Sequence, residues 1–568
     1  MPRRLAPIAA VALGLVTALP TSAQEMRGLA GAYLAARQAS IETDFAAAAR
    51  YYGRALMRDP GNVQLLENAL MAHIGLGQVT RAVPIARQLR ETGGDNQIAN
   101  LALLADFMAR EDWRAAGDAI DEGLTVGPLV DGLARAWVTL GSDDTAAAIE
   151  AFDRVGEETG LDAFGLYHKA LALAVLGDFD AADAVFAGDG EDPLRITRRG
   201  VVAHAQVLSQ LGRNDDALTL IDTTIGPDLD ASLAALRARL ESGETVPFSM
   251  VENVRDGAAE LFYTVASALS SEAADSYTLL YSRVAEHLKP DHTDALLLSG
   301  NLLEDMGRYE LATESYDSVP REDPAFHVAE IGRAQALRRA GKDDAAIEVL
   351  EQLTESHPGI ADVFVTLGDV LRQLERYEGS TEAYDRAVAL YSDDREDQWF
   401  TYFARGITHE RSDNWSDAEA DFRKSLELRP GQPSVLNYLG YSMVEMKENL
   451  DEALSMIEQA VAERPDSGHI VDSLGWALYR LGRYEESVVH MERAAELLPV
   501  DPIINDHLGD VYWAVGRKTE ARFQWHRALS FEPEEDEAER IRRKLDVGLD
   551  AVLAEEGAPP LVVAGDDG

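Results

Sequence analysis

A period constrains this chain more than any other feature. Gly368, Gly406, Gly440, Gly475 and Gly509 follow one another at intervals of 38, 34, 35 and 34 residues. Pro290, Pro324 and Pro358 stand 34 apart, and Pro430, Pro465, Pro499 and Pro533 follow at 35, 34 and 34. Self-similarity at this spacing marks a stack of small supersecondary units, each of which buries its apolar face only against its neighbours. The chain has 568 residues, more than one hydrophobic core usually holds, so repetition explains how it can be covered. Hydrophobic residues make up 46%, enough for a folded chain, and the Ala- and Leu-rich composition favours helix.

Within the period the residue types recur. One unit reads Leu474-Gly475-Trp476, then Leu481-Gly482-Arg483-Tyr484, then Met491, Ala494 and Pro499. The next reads Leu508-Gly509-Asp510, Gly516-Arg517, Ala521, Trp525, Ala528 and Pro533. Earlier copies hold Leu367-Gly368, Tyr377, Tyr384 and Ala387, and Gly300, Gly307-Arg308-Tyr309, Ala312, Tyr316 and Pro324. The small residue in the first helix lets its partner approach. The glycine after that helix supplies the left-handed turn. The alanine and the aromatic residue four positions on share one face of the second helix, and proline stops it. This pattern resembles the tetratricopeptide repeat family. The expected fold is all-α, an α-solenoid: a superhelix of about fourteen helical hairpins between residues 29 and 535, held by nearest-neighbour contacts.

Weaker copies extend to the N-terminal side through Ala48, Tyr52, Ala55 and Pro60, through Trp113, Ala116, Ile120 and Pro128, and through Gly177, Phe179, Ala182 and Phe186. Residues 187–197 read as a truncated second helix and a loop. Residues 226–258 lose the phase around Gly226-Pro227, Gly243 and Pro247, and read as an irregular hinge. The expected organisation is an N-terminal array over 24–225, that hinge, and a C-terminal array over 259–535. Ile541, Leu545, Leu549 and Leu553 recur every fourth residue, so 536–556 is expected as a capping helix and 557–568 as a disordered tail.

Arg3 and Arg4, the apolar run Ile8 to Leu19, and Thr21-Ser22-Ala23 have the order of a secretory signal peptide over residues 1–23. Export to the periplasm is the expectation. The sequence contains no cysteine, which excludes disulfides, thiolate metal sites and lipid anchoring through cysteine. The formal charge is -47, from 99 acidic and 52 basic side chains, a field that repels nucleic acid and favours basic proteins as partners.

The sequence contains no phosphate loop, dinucleotide fingerprint or nucleophile elbow. His287 and His292 bracket Pro290 and have no third ligand beside them in sequence, and acidic pairs such as Asp343-Asp344 and Glu485-Glu486 complement helix dipoles. No catalytic residue, metal or cofactor is expected. The sharper signal is in three C-terminal hairpins. In the resembled family, positions five and nine of the first helix face the concave groove. Here they hold Asn437 and Tyr441, Asp472 and Trp476, and Asp506 and Asp510, with Trp513 one turn further on. Asn and Asp are poor helix-interior residues, and the repeat core does not require them. Such a ladder suits an extended peptide, with polar groups on its backbone and aromatic anchors beside them. The alternative is that Tyr441 and Trp476 pack between helices while the acids pair with arginines such as Arg480 or Arg517.

The run from Asn437 to Pro533 is similar to long, repeat-rich envelope proteins of Gram-negative bacteria. One kind is an outer-membrane lipoprotein adaptor that assembles with a carboxy-terminal processing protease and presents cell-wall hydrolases to it. The resemblance implies a periplasmic scaffold, peripherally associated with the envelope, whose partners are other proteins: an envelope protease and basic cell-wall hydrolases. Those adaptors are lipidated on a cysteine that this sequence lacks. A solenoid that binds a cell-wall glycan or peptide fragment is the second expectation.

Overall fold

Side chains near each helix start explain why the first elements begin where they do. The carboxylate or amide oxygens of Asp44, Asn62, Asn96, Asp112, Asp144 and Asp178 each accept a backbone N–H three residues on, satisfying a donor the helix leaves unpaired. At the far ends, Leu450–Glu463, Tyr484–Leu497 and Lys518–Ser530 stop just short of Pro465, Pro499 and Pro533.

The computed structural model describes residues 29–93, 96–188, 197–226 and 229–561. Among these residues every element is helical. Fourteen consecutive helix pairs run from Leu29 to Ser530, with the single helix Ala231–Glu241 between the sixth and seventh pairs. No helix among them is long and apolar enough to cross a membrane. The signal peptide expected over 1–23 and most of the expected 187–197 loop and 557–568 tail lie outside the described residues.

Within a pair, the packing follows a sixteen-residue rule. Gly300 lies against Tyr316, Gly368 against Tyr384, Gly406 against Phe422, Gly475 against Met491 and Gly509 against Trp525. A Cβ on Gly368 would stand 2.7 Å from the Tyr384 ring, and one on Gly406 would stand 2.6 Å from Phe422. Absence of a side chain is therefore a packing requirement at these positions. Tyr316, Tyr384, Phe422 and Trp525 are fully buried in return.

The helices form two compact units that divide between Val349 and Leu350. The first departs from the expected nearest-neighbour stack. Its helix Val254–Leu269 packs against Pro128–Gly141 and Asp162–Val175, and its helix Asp275–Leu288 packs against Val63–Gly75 and Gln97–Ala109. These four are the first helices of successive pairs. The chain thus lays one of its own hairpins on the face those helices share. Gly257 meets the Trp137 ring, and the Tyr167 hydroxyl donates to Glu260 at 2.8 Å across 93 residues of sequence. One apolar cluster runs from Leu66 to Ala295 as a result.

The stretch read as a hinge, 226–258, is partly helical and is fastened to the first unit. Val246 and Val251 are fully buried. The Ser209 hydroxyl accepts from the Val246 amide at 2.8 Å, and the Gln206 side-chain carbonyl accepts from Ser249 at 3.0 Å. Side chains of the helix Arg198–Gln210 thus satisfy backbone that Gly and Pro keep out of helix.

In the second unit the pairs from Ala361 to Ser530 stack in order. The segment expected as one capping helix is two helices, Glu535–Val547 and Leu549–Glu555. They break at Gly548, whose φ is +88° and where a Cβ would meet Trp513 at 2.6 Å. Ile541 and Leu549 of the expected stripe are buried. So is Lys544, which the stripe did not include.

Candidate functional site

The expected ladder lies on three consecutive first helices of the second unit, Pro433–Met446, Gly468–Arg480 and Pro502–Ala514. Pro433 and Pro502 fix two of the starts, and Asp501 caps the third helix by accepting the Ile504 amide at 2.9 Å. Gly440, Gly475 and Gly509 turn one side of each helix into its own hairpin. Asn437, Tyr441, Asp472, Trp476 and Asp506 are consequently held away from that hairpin contact, while Asp510 stands at its edge and bonds Trp525.

The structure brings Tyr441, Asp472 and Trp476 together with residues the sequence reading missed. The Trp476 ring stacks on the His507 ring at 3.9 Å and on Tyr479 at 4.8 Å, and its indole N–H donates to Glu445 at 2.8 Å. His507 Nδ1 lies 3.1 Å from both oxygens of Asp472. Burial works against the imidazolium, but Asp472 outweighs it, and the His507 pKa is raised above its ordinary value. Arg480 reaches Glu445 at 3.0 Å. Tyr441 is half-buried, and burial, with Glu445 and Asp472 nearby, raises its hydroxyl pKa. Asn437 is half-buried, and its side-chain oxygen is shut off from solvent without a hydrogen-bond partner among the described residues.

The rest of the ladder is covered. Lys544, with no exposed surface, places its ammonium 2.7 Å from Asp506 and 2.7 and 2.8 Å from the two oxygens of Asp510. Asp510 also accepts from the Trp525 indole at 2.9 Å, and burial raises its carboxyl pKa while Lys544 pulls the other way. Trp513 is buried beneath the second C-terminal helix and donates to Asp550 at 2.9 Å. Asp506, Asp510 and Trp513 are thus floor beneath the C-terminal helices, not an open groove. The acids also find partners other than those anticipated: Arg480 pairs with Glu445, and Arg517 with Glu492 and Glu520. Nothing in the period pointed to Lys544 or His507, because their contacts lie 34 to 38 residues away on the face that the repeat pattern leaves free.

The repeats themselves are matched by family models. Tetratricopeptide repeat models match residues 330–359, 359–431, 447–502 and 473–536. The chain therefore carries tetratricopeptide repeats, a class of helical hairpin whose general use is to bind other proteins without catalysing a reaction. Among curated proteins it is similar to a TPR repeat-containing protein of Pseudomonas aeruginosa, 25% identical over 213 residues, which are 37% of this chain and 35% of that protein. It is 26% identical over 192 residues to human tetratricopeptide repeat protein 13, covering 33% of this chain and 22% of that one. The human aspartyl/asparaginyl beta-hydroxylase matches at 24% over 210 residues, 35% of this chain and 27% of that one. The chain thus spans about a third or less of the length of these relatives. Among solved structures, a chain of the APC/C hetero-tetramer Cut9–Hcn1 is 16% identical, with 92% of this chain and 96% of that chain covered and a TM-score of 0.37.

Proposed function

We propose that this chain is an exported periplasmic scaffold that binds other proteins along the first helices of residues 433–480, and that it presents partners to an envelope protease. The observation that carries this reading is half-buried Tyr441 beside the Glu445–Arg480 pair, set over Asp472 and Trp476, which are buried between the helices. In the first unit the corresponding helix faces are filled by the chain's own hairpin. Within the second unit no comparable hairpin lies on these helices among the described residues. Glu445 and Arg480 keep 40% and 26% of their side-chain surface exposed, beside the aromatic pair. An accessible tyrosine flanked by charges that keep contact with solvent has the make-up of a protein-binding hot spot. An acidic chain attracts basic partners, which suits hydrolases that work on an anionic wall.

The test is a crosslinked pull-down of the mature protein from its own periplasm. Recovery of a protease together with cell-wall hydrolases is expected. The double variant Tyr441→Ala, Arg480→Ala should lose them while keeping its helical circular dichroism. Recovery of nothing above background, or equal recovery by the variant, would sink this reading. Cell fractionation and N-terminal sequencing test export separately, with Gln24 expected as the first residue of the mature chain.

A further inference from the structure

The hairpin Val254–Leu288 leaves a cavity of about 320 Å³ where its first helix passes Asp162–Val175 and the start of Arg198–Gln210. That volume is within the range of small-molecule sites, roughly 300–1,000 Å³. Phe164 and Tyr167 stand three residues apart on one helix and put two aromatic side chains on the same wall. Ala268 adds apolar wall with little bulk.

The polar wall is electrically balanced. Arg198, Arg199, Glu260 and Asp294 line it, two cations and two anions. Arg199 donates from Nε to Glu260 Oε1 at 2.8 Å and pairs with Asp294 through its other arm. Arg198 reaches Asp294 at 3.5 Å, and it is also held at 2.8 Å by Asp230, which is open to solvent and outside the cavity. His292 stands behind Glu260 as the neutral tautomer: its Nδ1 accepts the Ala295 amide at 3.2 Å, and its Nε2 faces Glu260 at 3.3 Å. Tyr167 spends its hydroxyl on Glu260. A charged ligand entering here would give up its water without finding an unmatched counter-charge.

Tyr263 supplies a polar group that is free to bind. It lines the cavity, and its hydroxyl has no hydrogen-bond partner among the described residues. Its ring is held by Arg199, whose guanidinium lies 5.0 Å from the ring centroid, and by the His292 ring at 4.9 Å. Burial pushes the Tyr263 pKa up to about 12, so the group is a neutral hydroxyl that can donate or accept. A hydroxyl fixed beside an apolar wall is the kind of group that orients a ligand in a largely apolar site.

We propose that this cavity binds a small, uncharged, mainly apolar molecule that carries one hydroxyl, with its body against Phe164 and Tyr167 and its hydroxyl on Tyr263. The paired charges select against ammonium and carboxylate ligands alike. A sugar, with a hydroxyl on nearly every carbon, would lose hydrogen bonds to water that a wall of mutually paired groups does not replace. The aromatic wall favours a ring over a chain, through edge and offset-stacked contacts. The site belongs to the first unit and does not depend on the partner-binding surface of residues 433–480.

Titration calorimetry on the full chain with 2-phenylethanol tests this, with 2-phenylethylammonium and 3-phenylpropionate as cationic and anionic controls of similar shape. One-to-one binding of the alcohol is expected, with both ions weaker by about tenfold or more. Tyr263→Phe removes only the hydroxyl. It should weaken 2-phenylethanol by about fivefold, leave toluene, which has no hydroxyl, unchanged, and keep the melting temperature. No binding of the alcohol, equal or tighter binding of either ion, undiminished binding of the alcohol by Tyr263→Phe, or a loss of toluene equal to that of the alcohol would overturn the proposal.

Discussion

Lys544 and Asp510 are joined without water: the ammonium lies 2.7 and 2.8 Å from the two carboxylate oxygens, and the side chains are 0% and 1% exposed. The pair fastens the helix Glu535–Val547 to Pro502–Ala514 at its centre. Apart from Ala538 and Ile541, no other side chain of that C-terminal helix is buried, so much of its docking rests on charge.

Removing one partner should therefore cost far more than removing both. Lys544→Met leaves Asp510 buried with only the Trp525 indole and a longer contact to Arg540 at 3.7 Å, and should lower stability by about 3 kcal/mol. The double variant Lys544→Met, Asp510→Asn should recover most of that loss. Urea unfolding followed by tryptophan fluorescence measures both. Additive losses would mean that the pair is not coupled.

His168 sets an acid limit on the first unit. It is fully buried, its Nδ1 accepts from the Trp137 indole at 3.2 Å, and burial lowers its pKa from 6.5 to about 4. A histidine held neutral in the folded state binds fewer protons than it does unfolded. Its contribution is complete above pH about 6.5 and is lost as pH falls through about 4. The loss is on the order of 3 kcal/mol. His168→Gln, which keeps an acceptor for Trp137, should flatten stability between those pH values, as read by melting temperature.

His507 should act with the opposite sign. Its raised pKa favours the charged form in the folded protein. The stabilisation from Asp472 is present in full below the unfolded value of about 6.5 and fades as pH rises through the folded value. His507→Asn should destabilise more at pH 6 than at pH 9. Asp506, Asp510 and Lys544 remain in both proteins, so the difference isolates the imidazole. A pH-independent loss would assign His507 to packing against Trp476 alone.

Two glycine replacements should also differ in sign. Gly440 has no room: a Cβ there would stand 2.8 Å from the Ala453 carbonyl oxygen, and backbone cannot step aside. Gly440→Ala should destabilise by about 1–3 kcal/mol. Gly53 lies in the helix Phe45–Leu56 with nothing within 4 Å of its added Cβ. Gly53→Ala should stabilise by roughly 0.5–1 kcal/mol, because alanine loses less backbone freedom on folding. Denaturant midpoints distinguish the two outcomes.

Much of the fold was legible because the repeat writes its contacts locally. Gly368 and Tyr384, or Gly509 and Trp525, meet within one hairpin at a separation of sixteen residues, so residue type and spacing report the contact directly. The candidate site was legible in part. Tyr441, Asp472 and Trp476 do converge, but their partners Glu445 and His507 stand on neighbouring hairpins at positions the period leaves open.

The sequence by itself determined the helical hairpins, their number and the small-to-large packing inside each, since these depend on contacts at most one period apart. Only the tertiary structure decided which concave faces are occupied. The hairpin Val254–Leu288 fills the first unit's face through contacts such as Tyr167 to Glu260, and Lys544 fills the end of the second unit's face. The first depends on contacts several repeats apart, and the second on a contact one period long made by a charged group on the face that no repeat position specifies. A repeat pattern carries no record of such pairings, because it constrains the side of each helix that meets its own hairpin and leaves the opposite side free.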